Sequence, residues 1–131
     1  MPQSPECIFC RLASGENVVA TYGSCVAIQD KYPVTQGHLL IIPIRHASDY
    51  FSLTQQEKAD ADVLLQQLKN DIQQQDSSVT GFNIGINNGF DAGQTIFHAH
   101  IHLIPRRQND CDDPTGGVRG VIPGKRSYTA E

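Results

Sequence analysis

Three of the five histidines in this 131-residue chain stand at alternate positions, His98, His100 and His102. A period of two is typical of a β-strand, so the three side chains should share one face, each about 7 Å from the next. The interleaved apolar residues should enter the core: Phe97, Ala99, Ile101 and Leu103. Neighbouring imidazoles can divide a reaction, because one attacks while the others hold charge, protons or a metal. A solvated face or an accidental metal patch is the plainer alternative.

A loop rich in glycine and small polar residues, from Asn87 to Thr95, precedes the histidines. Gly89 and Gly93 permit positive φ and a close approach of the backbone to a ligand. Backbone N–H, amide and hydroxyl groups suit phosphate oxygens. Most polar glycine loops are only turns, but this loop joins the histidine segment directly.

The segment from His98 to Ile104, His-Ala-His-Ile-His-Leu-Ile, resembles the motif of the histidine triad (HIT) family. Gly93-Gln94-Thr95 resembles the Gly-Gln-Ser/Thr that precedes this motif in the family. The resemblance covers most of the chain, from Cys7 to near Arg107. HIT proteins transfer or hydrolyse the group at the α-phosphate of a nucleotide through a covalent nucleotidyl-histidine.

This resemblance implies a role for each matching catalytic residue. His100 would be the nucleophile, held by a backbone carbonyl, and His98 would complete the triad. His102 and Thr95 would contact the phosphate or the departing oxygen. His38 would lie close behind the triad and orient it. A core histidine whose hydrogen bonds are satisfied, without any role at the site, is an equally good alternative.

The resemblance also implies a nucleotide site. Asn87, Gly93 and Gln94 would bind the phosphate, together with Thr95, His102 and loop amides. Apolar residues would flank the base (Ile8, Phe9 and the strand that contains Val26 and Ile28), and Asp30 would meet the ribose hydroxyls. Phe9, Val26 and Ile28 could equally be plain core.

Cys7 and Cys10 form a C-x-x-C pair. By itself, such a pair can indicate zinc ligands, a redox pair or accidental spacing. A thioredoxin-like role would require a βαβ context that this sequence does not predict. In HIT proteins with this pair, an Ile-Pro-x-x-His histidine and the first triad histidine complete the ligand set, here His46 and His98. The resemblance therefore implies a closed, structural tetrahedral zinc site.

The elements around these residues predict an α+β domain with the HIT-like fold, an antiparallel sheet of about five strands. Strands are expected over Val18–Tyr22, Cys25–Asp30, His38–Ile44, Phe82–Asn87 and the triad, with Phe82, Ile84 and Ile86 facing in. One long helix begins at the capping box Thr54-x-x-Glu57 and ends near Gln75, and a short helix precedes the strands. We interpret residues 1–131 as a single HIT domain, with a flexible N-terminus over 1–6 and an irregular tail over 106–131.

Composition narrows the range of partners. A net charge of −4 and the absence of tryptophan argue against binding of long nucleic acid and favour a small anionic substrate. No segment resembles a membrane span or a signal peptide, so a cytoplasmic protein is expected. The resemblance implies a homodimer.

Two substrate classes fit this sequence. Ile104-Pro105-Arg106-Arg107 resembles the branch of HIT hydrolases that acts on dinucleoside polyphosphates, and Arg106, Arg107 and Arg119 could neutralise extra phosphates. We therefore expect a dinucleoside polyphosphate hydrolase, with a purine nucleoside phosphoramidase as the alternative. A metal-storage or metal-sensing protein and a nucleotide-binding adaptor without turnover are the rivals from other classes.

Overall fold

The computed structural model describes residues 6–15 and 17–127. The elements run α1 (Ile8–Ala13), β1 (Val18–Tyr22), β2 (Cys25–Gln29), β3 (Leu39–Pro43), α2 (Gln55–Gln75), β4 (Val79–Gly85) and β5 (Ile101–Arg107). Short 3-10 helices lie at Tyr50–Ser52, Phe90–Ala92 and Gly117–Val121. Of the N-terminal segment expected to be flexible, residues 1–5 lie outside the described part. No helix in the described ranges is long and apolar enough to cross a membrane.

The five strands form one antiparallel sheet in the order β1-β2-β3-β5-β4, which confirms the predicted fold class. All five residues of β3 are buried, because α2 packs on one face of the sheet and α1 lies over the other. Burial on both faces explains why β3 is a continuous apolar run rather than an alternating one. The central strands therefore form a rigid platform beneath the histidines.

Helix α2 begins at the predicted capping box, in which Thr54 and Glu57 bond each other's backbone N–H groups. One turn later, Asp60 Oδ2 accepts hydrogen bonds from the backbone N (2.9 Å) and Oγ (2.7 Å) of Ser24. Gly23 has a φ of 55°, and a Cβ there would lie only 2.4 Å from Asp60 Oδ2. The β1–β2 turn thus requires glycine for its conformation and for close docking against the helix.

The prediction that all three triad histidines lie on a strand is wrong for two of them, because β5 begins only at Ile101. The ring of His98 bonds the carbonyl of Pro43, the last residue of β3, and Ala99 N donates to Ala47 O in the chain that follows. These single bonds take the place of a regular strand ladder before Ile101. Contrary to the prediction, Phe97 does not enter the core, since the residue is 47% exposed. Ala99, Ile101 and Leu103 are buried as predicted.

Strand β4, at Val79–Gly85, begins three residues and ends two residues earlier than predicted, because its ladder ends where Gly85 pairs with His102 near the start of β5. Ile84 is 51% exposed rather than facing in, since β4 is an edge strand and α2 packs mainly on the other strands. At the other end, β5 includes Arg106 and Arg107, so the irregular tail begins at residue 108 instead of 106. Residues 128–131 of that tail lie outside the described part.

Candidate active site

Two cavities meet at the triad. Cavity A, of about 410 Å³, lies between α1, β2 and the glycine loop, and cavity B, of about 510 Å³, lies between the turn after β2, strands β4 and β5, and the 3-10 helix of the tail. Both have the volume of small-molecule sites. They share four residues: Asp30, Tyr32, Asn87 and His102.

Cavity A collects most of the residues expected to bind a nucleotide. Its lining includes Ile8, Phe9, Asp30, Asn87, Gly93, Thr95, His100 and His102. Phe9 is 6% exposed and contacts the His100 ring edge-on, with centroids 5.0 Å apart. Phe9 therefore belongs to the core and to the cavity wall at once. Leu12, Leu40 and Ile96 complete the apolar wall, and no pattern in the sequence marked these residues as functional.

His100 is buried, and its Nδ1 lies 2.8 Å from the carbonyl oxygen of His98. A carbonyl only accepts hydrogen bonds, so Nδ1 carries the proton and the neutral ring keeps its lone pair on Nε2. A tautomer held by the backbone is the state that a nucleophilic imidazole requires.

The hydrogen bond with His38 determines the tautomer of His102. Val34 donates its backbone N–H to His38 Nδ1 at 3.0 Å, so the proton of neutral His38 is on Nε2. His38 Nε2 lies 2.9 Å from His102 Nδ1, which must then accept, and the proton of His102 is on Nε2. Burial lowers the pKa of both imidazoles, which favours these neutral forms. His102 thus offers an N–H on its free side.

Asp30 adjoins this pair, with Oδ2 3.4 Å from His38 Nε2 and 3.8 Å from His102 Nδ1. The possible ligand atoms of Asp30, His38 and His102 lie within 4.8 Å of one another, as a metal site would require. However, His38 Nδ1 accepts from Val34, so its Nε2 presents a proton rather than a lone pair. The arrangement is better described as a hydrogen-bond relay. The Val34 N–H at its origin was not foreseen, because a backbone donor has no sequence signal.

A second cluster joins Cys7, Cys10, His46 and His98, whose ligand atoms all lie within 4.8 Å of one another. Cys10 Sγ is 3.2 Å from His46 Nδ1 and 3.4 Å from His98 Nδ1, and Cys7 Sγ is 3.4 Å from His98 Nδ1. His98 is fully buried and directs Nε2 to the Pro43 carbonyl at 2.8 Å, which leaves Nδ1 as the ligand atom. Two sulfurs and two nitrogens with a bonded imidazole match a structural zinc site.

Gln94 has a different position from the other loop residues, because it is buried with 1% exposure. Its Oε1 accepts from Gly89 N, and its Nε2 donates to the carbonyls of Ser48 and Ile96. Gly93 has a φ of 92°, which glycine adopts without strain and which turns the chain towards the triad. Gln94 thus holds the loop in shape, while Gly93 and Thr95 border cavity A.

The three arginines expected to neutralise extra phosphates are engaged within the protein. Arg106 borders cavity B, but its Nε and Nη2 bind both carboxylate oxygens of Asp110 at 2.8 Å, and its Nη1 binds Asn83 Oδ1 at 2.7 Å. This pairing lowers the pKa of Asp110 and raises that of Arg106. Arg107 pairs with Asp76 at 2.9 Å. Arg119 donates to the carbonyl of Lys125.

The chain is similar to known proteins over most of its length. The protein-family model described as HIT domain matches residues 12–109. Adenylylsulfatase HINT3 from Arabidopsis thaliana is 37% identical over 109 residues, covering 81% of this chain but 55% of that protein. The AP-4-A phosphorylase of Mycobacterium tuberculosis is 34% identical over 126 residues, 93% of this chain and 64% of that protein. The chain thus spans only part of these relatives.

Solved structures agree with this similarity. A HIT family protein from Bacillus anthracis superposes with a TM-score of 0.74 at 36% identity, covering 82% of this chain and 77% of the other. A Zn-bound histidine triad family protein from Mycobacterium smegmatis gives a TM-score of 0.73 at 32% identity, covering 80% and 78%. Together with the triad beside two cavities, these matches establish that the chain belongs to the histidine triad family.

Proposed function

We propose that this protein hydrolyses nucleotides at the α-phosphorus through a covalent intermediate on His100. The observation that carries the proposal is the 2.8 Å contact between His100 Nδ1 and the His98 carbonyl, which leaves Nε2 free to attack beside cavity A. The base lies against Ile8 and Phe9, and the ribose hydroxyls meet Asp30. This assignment is supported by the family membership of the chain.

In the first half-reaction, the lone pair of His100 Nε2 forms a bond to phosphorus and the bond to the leaving group breaks. The bonding pair stays on the departing atom; a departing amine takes a proton from solvent. The Nε2–H of neutral His102, the Thr95 hydroxyl and loop amides stabilise charge on the phosphoryl oxygens. Water then attacks the nucleotidyl-histidine, restores neutral His100 and returns one proton to solvent.

Dinucleoside polyphosphates are one proposed substrate class, as the sequence predicts. The name of the related AP-4-A phosphorylase supports this choice. Nucleoside phosphoramidates are the second class, and a specific contact favours them: both carboxylate oxygens of Asp110 already engage Arg106, the guanidinium that borders cavity B. A distal phosphate would have to displace that pair. A phosphoramidate makes no such demand.

We further propose zinc as a structural metal held by Cys7, Cys10, His46 and His98. When bound there, zinc would cross-link the N-terminal segment, the chain after β3 and the start of the triad. The Zn-bound relative from Mycobacterium smegmatis supports this choice of metal. The proposed reaction uses His100 and His102, which line cavity A, and its steps require only groups of the chain and water.

The experiment that tests the proposal follows AMP release from an AMP amidate and from diadenosine tetraphosphate. His100→Ala should fold normally and lose at least about 10³-fold in turnover, the scale of a covalent step. Rapid quenching of the wild-type protein should give a nucleotidyl adduct on His100 by mass spectrometry. Retention of a tenth of the activity by His100→Ala would exclude this mechanism. Nucleotide binding without any turnover would instead indicate an adaptor.

A further inference from the structure

We propose that Asn88 is a positioning residue, which fixes the glycine loop (residues 87–95) by anchoring it to the chain between β3 and α2. The Oδ1 of Asn88 accepts a hydrogen bond from the backbone N–H of Tyr50 at 2.9 Å. Tyr50 begins the short 3-10 helix Tyr50–Ser52 in that connection. This inference rests on the proposed function, with Asn87 and Thr95 at the phosphate.

Gln94 provides a second anchor at the other end of the loop. Its Nε2 donates to the Ser48 carbonyl at 2.7 Å, so the two anchors end on neighbouring parts of the same connection. Beyond the loop, Ala99 N donates to Ala47 O at 2.7 Å, which attaches the triad to this connection as well. One short segment therefore sets the positions of both the loop and the triad.

The anchoring residues and the proposed phosphate-binding residues are neighbours in the sequence, Asn88 beside Asn87 and Gln94 beside Thr95. Asn87 and Thr95 line cavity A, whereas Asn88 and Gln94 do not. Asn88 therefore acts through Asn87 rather than by touching the phosphate.

The middle of the loop has little packing that could hold it in place. Residues 90–93 are exposed, and Phe90 is 80% exposed. A segment with few buried apolar contacts takes its position from its hydrogen bonds. Loss of the Asn88 bond should therefore let Asn87 move. A displacement of about 1 Å at a positioning group can lower the rate by about 10²-fold.

The effect should fall on kcat more than on KM. Charge on the phosphoryl oxygens increases in the transition state, so a displaced donor costs more there than in the bound substrate. The apolar wall formed by Ile8 and Phe9 does not include Asn88 and should continue to bind the base.

The test measures kcat and KM of the full chain for an AMP amidate in two matched pairs of variants. Asn88→Leu removes the acceptor, whereas Asn88→Asp keeps a side-chain oxygen for the Tyr50 N–H. Tyr50→Pro removes that N–H, whereas Tyr50→Ala keeps it and removes only the ring. Proline suits the first position of a helix, and Asp49 before it is extended, as a residue before proline prefers.

Asn88→Leu and Tyr50→Pro should each lower kcat by about tenfold or more and change KM by less than about threefold. The double variant should lose no more than either single variant, because all three lack the same bond. Asn88→Asp and Tyr50→Ala should remain within about threefold of the wild type, since they keep that bond. Leu64→Ala, a substitution of a fully buried residue in α2, should also retain kcat, which separates positioning from lost stability.

Hydrogen exchange of the Tyr50 amide gives a readout that is independent of turnover. It should be faster in Asn88→Leu than in the wild type and unchanged in Asn88→Asp. Unaltered exchange or unaltered kcat in Asn88→Leu, or losses that add in the double variant, would overturn the inference. If Asn88→Leu does not fold, equal kcat of Tyr50→Pro and Tyr50→Ala overturns it instead. If the wild type cleaves no AMP amidate, the proposed function fails, and Tyr50 exchange still decides whether Asn88 anchors the loop.

Discussion

The hydrogen-bond relay from Val34 through His38 to His102 predicts that His38 controls catalysis without contacting the substrate. In His38→Leu, His102 Nδ1 loses its donor at 2.9 Å, and the nearest charged acceptor is Asp30 Oδ2 at 3.8 Å. The proton of His102 should then move to Nδ1, facing Asp30. The Nε2 on the substrate side becomes an acceptor and repels phosphate oxygens.

The size of this effect follows from the two hydrogen bonds that are exchanged. Losing a neutral bond removes about 1 kcal/mol from the productive tautomer. A charge-assisted bond, formed when Asp30 Oδ2 closes the 3.8 Å gap to Nδ1, adds about 2 kcal/mol to the other tautomer. The sum of about 3 kcal/mol corresponds to roughly a 100-fold loss of kcat/KM. That value agrees with the ~10²–10³-fold cost of removing one preorganised donor.

His38→Gln is the matched control, because a glutamine amide can donate to His102 Nδ1 in place of the imidazole. Both variants remove the acceptor of the Val34 N–H, so both should lose similar stability. AMP release should fall about 100-fold in His38→Leu but within about tenfold of wild type in His38→Gln. The ¹⁵N shifts of His102 should report a protonated Nδ1 only in His38→Leu. Equal activities, or an unprotonated Nδ1 in both variants, would refute the relay.

Three further predictions concern zinc, acid stability and the core. Purified protein should carry about one zinc per chain by elemental analysis, and Cys10→Ser should lose that metal and lower the Tm. Arg45 lowers the pKa of buried Glu57, so this carboxylate stabilises the fold above its unfolded pKa of about 4.3. That contribution is lost as pH falls through the lower folded pKa. Urea titrations of Glu57→Gln should therefore show a loss of unfolding free energy of about 1–3 kcal/mol at pH 7, which shrinks below about pH 4. Leu64→Ala should lower the unfolding free energy by about 2–5 kcal/mol in the same assay, because Leu64 is fully buried. The control Gln66→Ala, at an exposed position of the same helix, should change it by less than about 0.5 kcal/mol.

The local pattern of the sequence determined much of the fold. The capping box at Thr54 and Glu57 located the start of α2, and the apolar run of β3 indicated a central strand. These signals depend on neighbouring residues and on side-chain periodicity, which are present in the chain before it folds. The family motif likewise identified His98 and His100, and the C-x-x-C spacing indicated Cys7 and Cys10 as a candidate pair of ligands.

Tertiary structure decided what each histidine presents to its surroundings. The triad spacing suggests three equivalent side chains on one strand, yet Pro43, the His98 carbonyl and Val34 assign a different role to each ring. These partners are backbone groups, which every residue type carries, so the sequence does not encode their positions locally. The contact of Arg106 Nη1 with Asn83 on β4 and the lining of cavity B likewise depend on how β4, β5 and the tail pack together.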